Sequence, residues 1–416
     1  MQVVMHKPSH PGAPLLVVGL RAGFLMGVAA LLVTGIVGGL LRAGVALPVP
    51  GDSIWPGQAV LGHAFLMICG FMGTVIGIER AVAVKLRFAL GAPVASALAG
   101  LAMLAGEPSA AAWLAVVAAT VFIAVNAVVV EHQRAPHTVL LLAGAAAWLV
   151  GNLLQALDSQ PAAVIPWWFS FLVLTIAAER LEMTRLMRRR RGAPIALYGC
   201  LVTMLLGATA FAMSPVWGGV VYGVSLTLLA GWLMVFDIAR RTVVATGLSR
   251  YMAICLLLGY CWLAVAGAAW VATSAGLPFR DAALHALGLG FIFSMMLGHA
   301  PVILPALARV KVRFGWFFYV PLILLHASLV VRLCLGAHAF DMLTLGAEGN
   351  ALAIALFALT MTGAALASRV RHPSARHRRM DCVGGHQQES TRLLCRPRSP
   401  AELKAIAGTD AATEQK

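Results

Sequence analysis

Apolar runs of 18 or more residues recur along nearly the whole length of this chain, separated only by short loops. Runs of that length cross the hydrocarbon core of a bilayer. Lipid offers no partner to a backbone N–H or C=O, so each span must satisfy its own, and within a single segment only a helix does so. A β-barrel would show ten-residue alternation, which is absent. Of 416 residues, 60% are hydrophobic and only 11% charged, a balance no water-soluble domain has. The expected fold class is an all-α membrane protein of about twelve transmembrane helices.

The spans read Leu15–Leu40, Ala59–Val84, Ala92–Gly106, Ala111–Val130, Thr138–Leu157, Ala162–Ala178, Ile195–Met213, Val216–Phe236, Met252–Ser274, Ala282–Leu304, Trp316–Leu335 and Ala351–Ala367. They define a transmembrane domain over 15–368. Residues 1–14 are polar and rich in proline, and residues 369–416 lose apolar periodicity and carry basic residues, as a disordered tail does. The first run is too long for a signal-peptide core, so no cleavable signal is expected. Every even-numbered span exits into basic residues: Arg80, Lys85 and Arg87; Arg134; Arg188 to Arg191; Arg240 and Arg241; Arg309, Lys311 and Arg313; then the tail. The positive-inside rule puts both termini in the cytoplasm. The net charge of +15 therefore reads as topology and contact with anionic lipid, not nucleic-acid binding. The seven cysteines form no CxxC or CxxCH pattern, so neither a disulfide framework nor covalent haem attachment is expected.

Ionisable rings inside a bilayer are costly and mark candidate functional sites. Spans two and ten both enter from the outer face, and His63 and His285 each lie about one turn inside. Two neutral imidazoles at one depth on adjacent helices suit a haem iron, or a copper ion, clamped between them. Gly62, Gly70, Gly73 and Gly77 of span two, and Gly288 and Gly290 of span ten, allow either a flat macrocycle or a neighbouring helix to approach. Met67 reads as packing. Arg332, near the outer end of span eleven, is placed to meet haem propionates or to snorkel. His299 lies about 21 Å from His285 along span ten and belongs elsewhere. With His326 in span eleven it would form a second metal or haem site, a proton path or ordinary polar contacts. Arg21 in span one needs a partner among Glu79, Glu179 and Asp237. His132 and His137 fall in a cytoplasmic loop and are expected to be solvated. Phe71, Ile76, Glu79 and Arg80 recur at an offset of 100 as Phe171, Ile176, Glu179 and Arg180, reading either as interfacial ion pairs with snorkelling arginines or as a repeated four-helix unit. No Walker loop, Gly-x-Ser-x-Gly, His-Glu-x-x-His or Rossmann fingerprint is present.

Three segments together resemble the NnrS-type membrane proteins: GLRAGFLMGVAAL (Gly19 to Leu31), GHAFLMICGF (Gly62 to Phe71) and HALGLGFIFSMMLGHA (His285 to Ala300). The resemblance implies a bacterial inner-membrane protein carrying haem b and copper, linked to nitric oxide or another small diatomic ligand. Three elements depart from that pattern: Ala64-Phe65 replaces the glutamate after the first histidine, the family's Asn-Trp-Thr-Gly element is missing with Glu79-Arg80 nearby instead, and Gly298-His299 is followed by Ala300-Pro301-Val302. A looser likeness is to subunit I of haem–copper oxidases, twelve helices in three arcs of four with a haem held from helices two and ten. Spans six and seven contain no histidine, so the likeness implies no oxidase-type binuclear centre. The competing readings are a twelve-helix secondary transporter, which shares the topology but lacks the Gly-x-x-x-Asp-Arg loop of the major facilitator class, and a non-catalytic accessory subunit.

Overall fold

The computed structural model describes residues 13–49, 52–184, 192–308 and 311–370. The predicted end segments 1–14 and 369–416 lie outside these, save for residues 13, 14, 369 and 370. The Arg188 to Arg191 run, Arg309 and the side chain of Arg21 lie outside the description too. All regular structure among the described residues is helical. The first helix, α1, is Ala13–Arg42. Among the described residues eleven other helices are long and apolar enough to cross a membrane: α2 His63–Val84, α3 Arg87–Leu104, α4 Pro108–His132, α5 Pro136–Ala156, α6 Pro161–Met183, α7 Ala193–Ala210, α8 Pro215–Phe236, α9 Gly247–Ser274, α10 Arg280–Pro305, α11 Trp316–Leu335 and α12 Phe340–Ser368. The protein is an all-α membrane protein.

Local chemistry explains the ends. α4, α5, α6 and α8 each start on a proline, whose fixed φ suits the first turn and whose missing N–H has no helical partner there. Gly44, Gly106 and Gly276 follow α1, α3 and α9 with φ near +86°, the left-handed turn that closes a helix. Two spans differ from their sequence boundaries. The second is not continuous from residue 59: a short helix, Trp55–Leu61, breaks at Gly62, and α2 starts on His63. The twelfth begins at Phe340, eleven residues before the expected Ala351, and two of its polar side chains bond to neighbouring segments. Asn350 donates to Ser328 Oγ of α11 at 2.6 Å, and Thr344 donates to the Ala43 carbonyl beyond α1 at 3.1 Å.

Consecutive helices are neighbours, and Thr344 ties α12 back to the end of α1. Helix α6 is the most enclosed, with 78% of its apolar window buried against 22% for α12. It touches both α2 and α10, so the second, sixth and tenth spans converge inside the bundle. Outward faces carry large apolar side chains such as Ile195, Trp217 and Leu359, as a lipid-facing surface requires. Glycine sets the close approaches. A Cβ at Gly73 would lie 2.6 Å from the Trp148 ring, and one at Gly62 would lie 2.7 Å from Met103. These glycines serve helix packing, the commoner of their two expected uses.

One buried amide ties four helices. Asn152 of α5 donates to the Ala115 carbonyl of α4 at 2.9 Å and accepts from Trp168 Nε1 of α6 at 2.9 Å and from Cys69 Sγ of α2 at 3.3 Å. Leucine there would strand the indole N–H and the carbonyl. Asn152→Leu is expected to destabilise by about 1–2 kcal/mol, the upper range for hydrogen bonds inside a membrane. A thermal melt in detergent that matches the unsubstituted protein would show the network to be dispensable.

Candidate functional site

His63 and His285, 222 positions apart in sequence, face each other across the bundle. Their ring centroids are 6.3 Å apart and their planes differ by 25°. Each stands where its helix changes winding. The seven residues after Phe65, Leu66–Met72, form a π-helical turn in α2, and Ala286–Phe293 form one in α10 immediately after His285. A third, Val331–Leu335, carries Arg332 in α11. Such bulges insert one residue into a helix and are frequent at functional sites.

Hydrogen bonds fix which ring nitrogen carries the proton. His63 Nδ1 lies 2.8 Å from the Gly35 carbonyl of α1. A carbonyl only accepts, so Nδ1 donates and the lone pair is on Nε2. His285 Nδ1 lies 3.1 Å from the Asp281 carbonyl and 2.9 Å from its carboxylate Oδ1, again two acceptors. His285 Nε2 in turn receives Arg332 Nη2 at 3.2 Å, and a guanidinium only donates. Both rings therefore present a basic Nε2, the arrangement in which a second partner on Nδ1 orients a metal-binding imidazole. Arg332 is buried and clamps Asp281 through two bonds, Nε to Oδ2 at 3.0 Å and Nη2 to Oδ1 at 2.8 Å. The sequence offered propionate or snorkelling for Arg332; the partner it meets is Asp281.

Helix α1 makes room for His63. A Cβ at Gly39 would stand 2.6 Å from the ring's Cε1. Gly39→Ala is therefore expected to push the imidazole off its Gly35 anchor, costing about 1–3 kcal/mol as overpacking does. A crystal or cryo-EM structure of the variant with the ring in place would refute this.

The two imidazoles and Arg332 line a partly open cavity. Apart from Asn350, the other walls are apolar: Met67, Phe71, Phe169, Leu172 and Leu289 among them. Gly288 lies on this wall, with Phe169 3.7 Å from where its Cβ would be. A concave apolar site with a few convergent polar groups is the usual form of a cofactor or ligand pocket. The separation suits one metal. Imidazoles on opposite sides of an ion, with bonds of about 2.0–2.1 Å, have ring centres about 6 Å apart. The donor set is two nitrogens; among the described residues no cluster of three or more His, Cys, Asp or Glu converges as a protein-only metal site would.

Of the alternatives open for His299 and His326, the contacts found are ordinary polar ones. His299 Nδ1 donates to the Met295 carbonyl at 2.6 Å, and its Nε2 accepts from Arg180 Nη2 at 2.7 Å. His326 has the opposite tautomer: its Nδ1 accepts from Trp262 Nε1 at 2.8 Å, so Nε2 carries the proton. One ring's lone pair is held by Arg180 and the other's by Trp262. Arg180 is itself buried and reaches across to α10, so it does not snorkel. The two Glu-Arg pairs of the sequence echo do meet: Glu79 and Glu179 interact electrostatically, and Arg80 offsets both. His137 is buried, not solvated, because the start of α5 packs it toward α6, 4.0 Å from Glu182. His132 is exposed as expected.

Sequence reasoning missed Asp281, Gly35 and Gly39. Asp281 had a signal: an acid four residues before His285 lies on the same helix face. It sat just outside the apolar window that began at Ala282. The α1 glycines had no signal short of knowing which helix covers His63.

The chain belongs to the family described as Domain of unknown function (DUF8744), whose model matches residues 21–366. No curated protein and no solved structure matches it.

Proposed function

We propose that this family member is a haem-binding membrane protein in which His63 and His285 are the axial ligands of one b-type haem. The observation that carries the reading is the facing pair of imidazoles, 6.3 Å apart, each anchored through Nδ1 and both lining one largely apolar cavity. The NnrS-like segments contain both histidines and favour the same reading, together with a bacterial inner membrane, cytoplasmic termini and a link to nitric oxide. When bound, haem would supply one-electron transfer. The chain's own residues bind and orient it. Gly35 and Asp281 fix the ring tautomers, Phe71, Phe169 and Leu172 keep water from the cavity, and Arg332 supplies a cation at its edge. Arg332 can release His285 Nε2 and keep its clamp on Asp281, since its Nε–Oδ2 and Nη2–Oδ1 bonds do not involve the ring.

The test is a dithionite-reduced-minus-oxidised spectrum of protein purified from haem-replete cells, with metal analysis on the same sample. A Soret band with split α and β bands on reduction supports the proposal. Bound copper without a Soret band moves the two histidines to a copper site. Neither haem nor copper would leave secondary transport in the lead, a reading favoured by half-buried Glu79, Arg80 and Glu179 beside buried Arg180 at the opposite end of α2 and α6.

A further inference from the structure

The two imidazoles have unequal supports. His63 Nδ1 donates to a neutral carbonyl, that of Gly35. His285 Nδ1 donates to the carbonyl and to the carboxylate of one residue, Asp281. The carboxylate is held in place by the two-bond clamp of Arg332, whose side chain is only 9% exposed. A hydrogen bond to an ionised acceptor is stronger than one to a neutral acceptor, roughly twofold. It draws the Nδ1 proton away from the ring and makes Nε2 more electron-rich.

We propose that Asp281 is a positioning residue for His285 that makes it the stronger donor of the pair. The proposal rests on the haem reading above for its effect on the cofactor. It has three parts on the page. Asp281 lies one helical turn before His285, so the acid and ring share a face. The π-helical turn starts at Ala286, directly after the ring, so the α-helical turn joining Asp281 to His285 is left intact. Arg332 then plays two roles with one group: it immobilises the carboxylate, and its second Nη2 proton rests on His285 Nε2 until another electrophile takes that lone pair. Carboxylate and guanidinium together add no net charge to the site. Removing the carboxylate alone leaves the guanidinium's positive charge beside the cavity, which disfavours the oxidised, more positive form of any bound metal.

Asp281→Asn keeps the shape and one acceptor but removes the charge. With haem present, the expected result is near-normal haem content and a midpoint potential raised by about 59 mV or more, a tenfold shift in a one-electron equilibrium. Asp281→Glu, which restores the charge, is expected to return most of that shift. An unchanged potential in Asp281→Asn overturns the proposal. A second measurement needs no cofactor. In protein labelled with ¹⁵N-histidine and prepared without haem, the His285 Nδ1 proton is expected to resonate downfield, as in a charge-assisted hydrogen bond, and to move upfield in Asp281→Asn. The same proton shift in both proteins overturns the proposal. If the unsubstituted protein has no Soret band, the haem reading fails by itself, and the proton shift still decides whether Asp281 acts on His285.

Discussion

His63→Ala is expected to purify with about tenfold less haem, or none, while folding as the unsubstituted protein does. The expectation follows from the ring's position. His63 is the only polar side chain that α2 contributes to the cavity, and its Nδ1 anchor leaves Nε2 free to bind. Loss of a residue that merely orients a ligand costs ten- to a hundredfold in metal affinity, and loss of the ligand itself costs at least as much. The fold should survive, because what remains unpaired is one carbonyl, that of Gly35. His285→Ala should lose haem as well. His299→Ala and His326→Ala should not, since neither ring lines the cavity that holds His63 and His285. Haem content per protein by the pyridine haemochrome assay reads all four. Full haem in His63→Ala would end the axial-ligand assignment.

The second large effect is expected at Gly346 of α12. A Cβ there would lie 2.5 Å from the N, Cα and Cβ of Arg332. Two of those atoms are backbone, so no rotamer change relieves the clash, and α11 and α12 must separate. Three residues on, a Cβ at Gly349 would meet Ser328 Cβ at 2.7 Å, so the approach is continuous along the seam. Overpacking a core costs about 1–3 kcal/mol where side chains can yield. Gly346→Ala is expected at or above the top of that range, with a lower melting temperature and reduced haem, because Arg332 and the clamp on Asp281 move with α11. Gly363→Ala is the control on the same helix. Nothing lies within 4 Å of its would-be Cβ, and alanine favours a helix over glycine by about 1 kcal/mol, so its melting temperature should hold or rise. Equal melting temperatures for the two variants would show that α11 and α12 are not in close contact at Gly346.

The facing of His63 and His285 was legible from sequence because depth in a bilayer is a one-dimensional quantity. Counting residues from the outer edge of two spans put both rings at one level, and α6, which touches both α2 and α10, holds those spans near each other. The lateral partners were not legible. For His299 and His326 the sequence left a second metal site, a proton path and polar contacts open, and Arg180 and Trp262 come from helices whose neighbours a single sequence does not specify. The tautomers separate them further, and tautomers depend on those partners. Asp281 and the early start of α12 were lost for one reason: hydropathy ends a span at its first polar residues. Asp281 is clamped by Arg332, and Asn350 is paired with Ser328, so both lie in helix where an isolated segment would fray. The polar ends of these spans hold the chemistry that an apolar window discards.

The winding change after each histidine has a consequence for how this site can vary. Each bulge places one more residue in the helix than its rise requires, so the extra residue is absorbed locally and the parts of the helix before and after it keep their rotation. Deleting one residue within Leu66–Met72 would restore ordinary winding and leave His63 at nearly its present rotation relative to the rest of α2. A chain could thus shorten either bulge by a single-codon deletion, changing how the wall below the imidazole is wound, and keep the two rings facing each other.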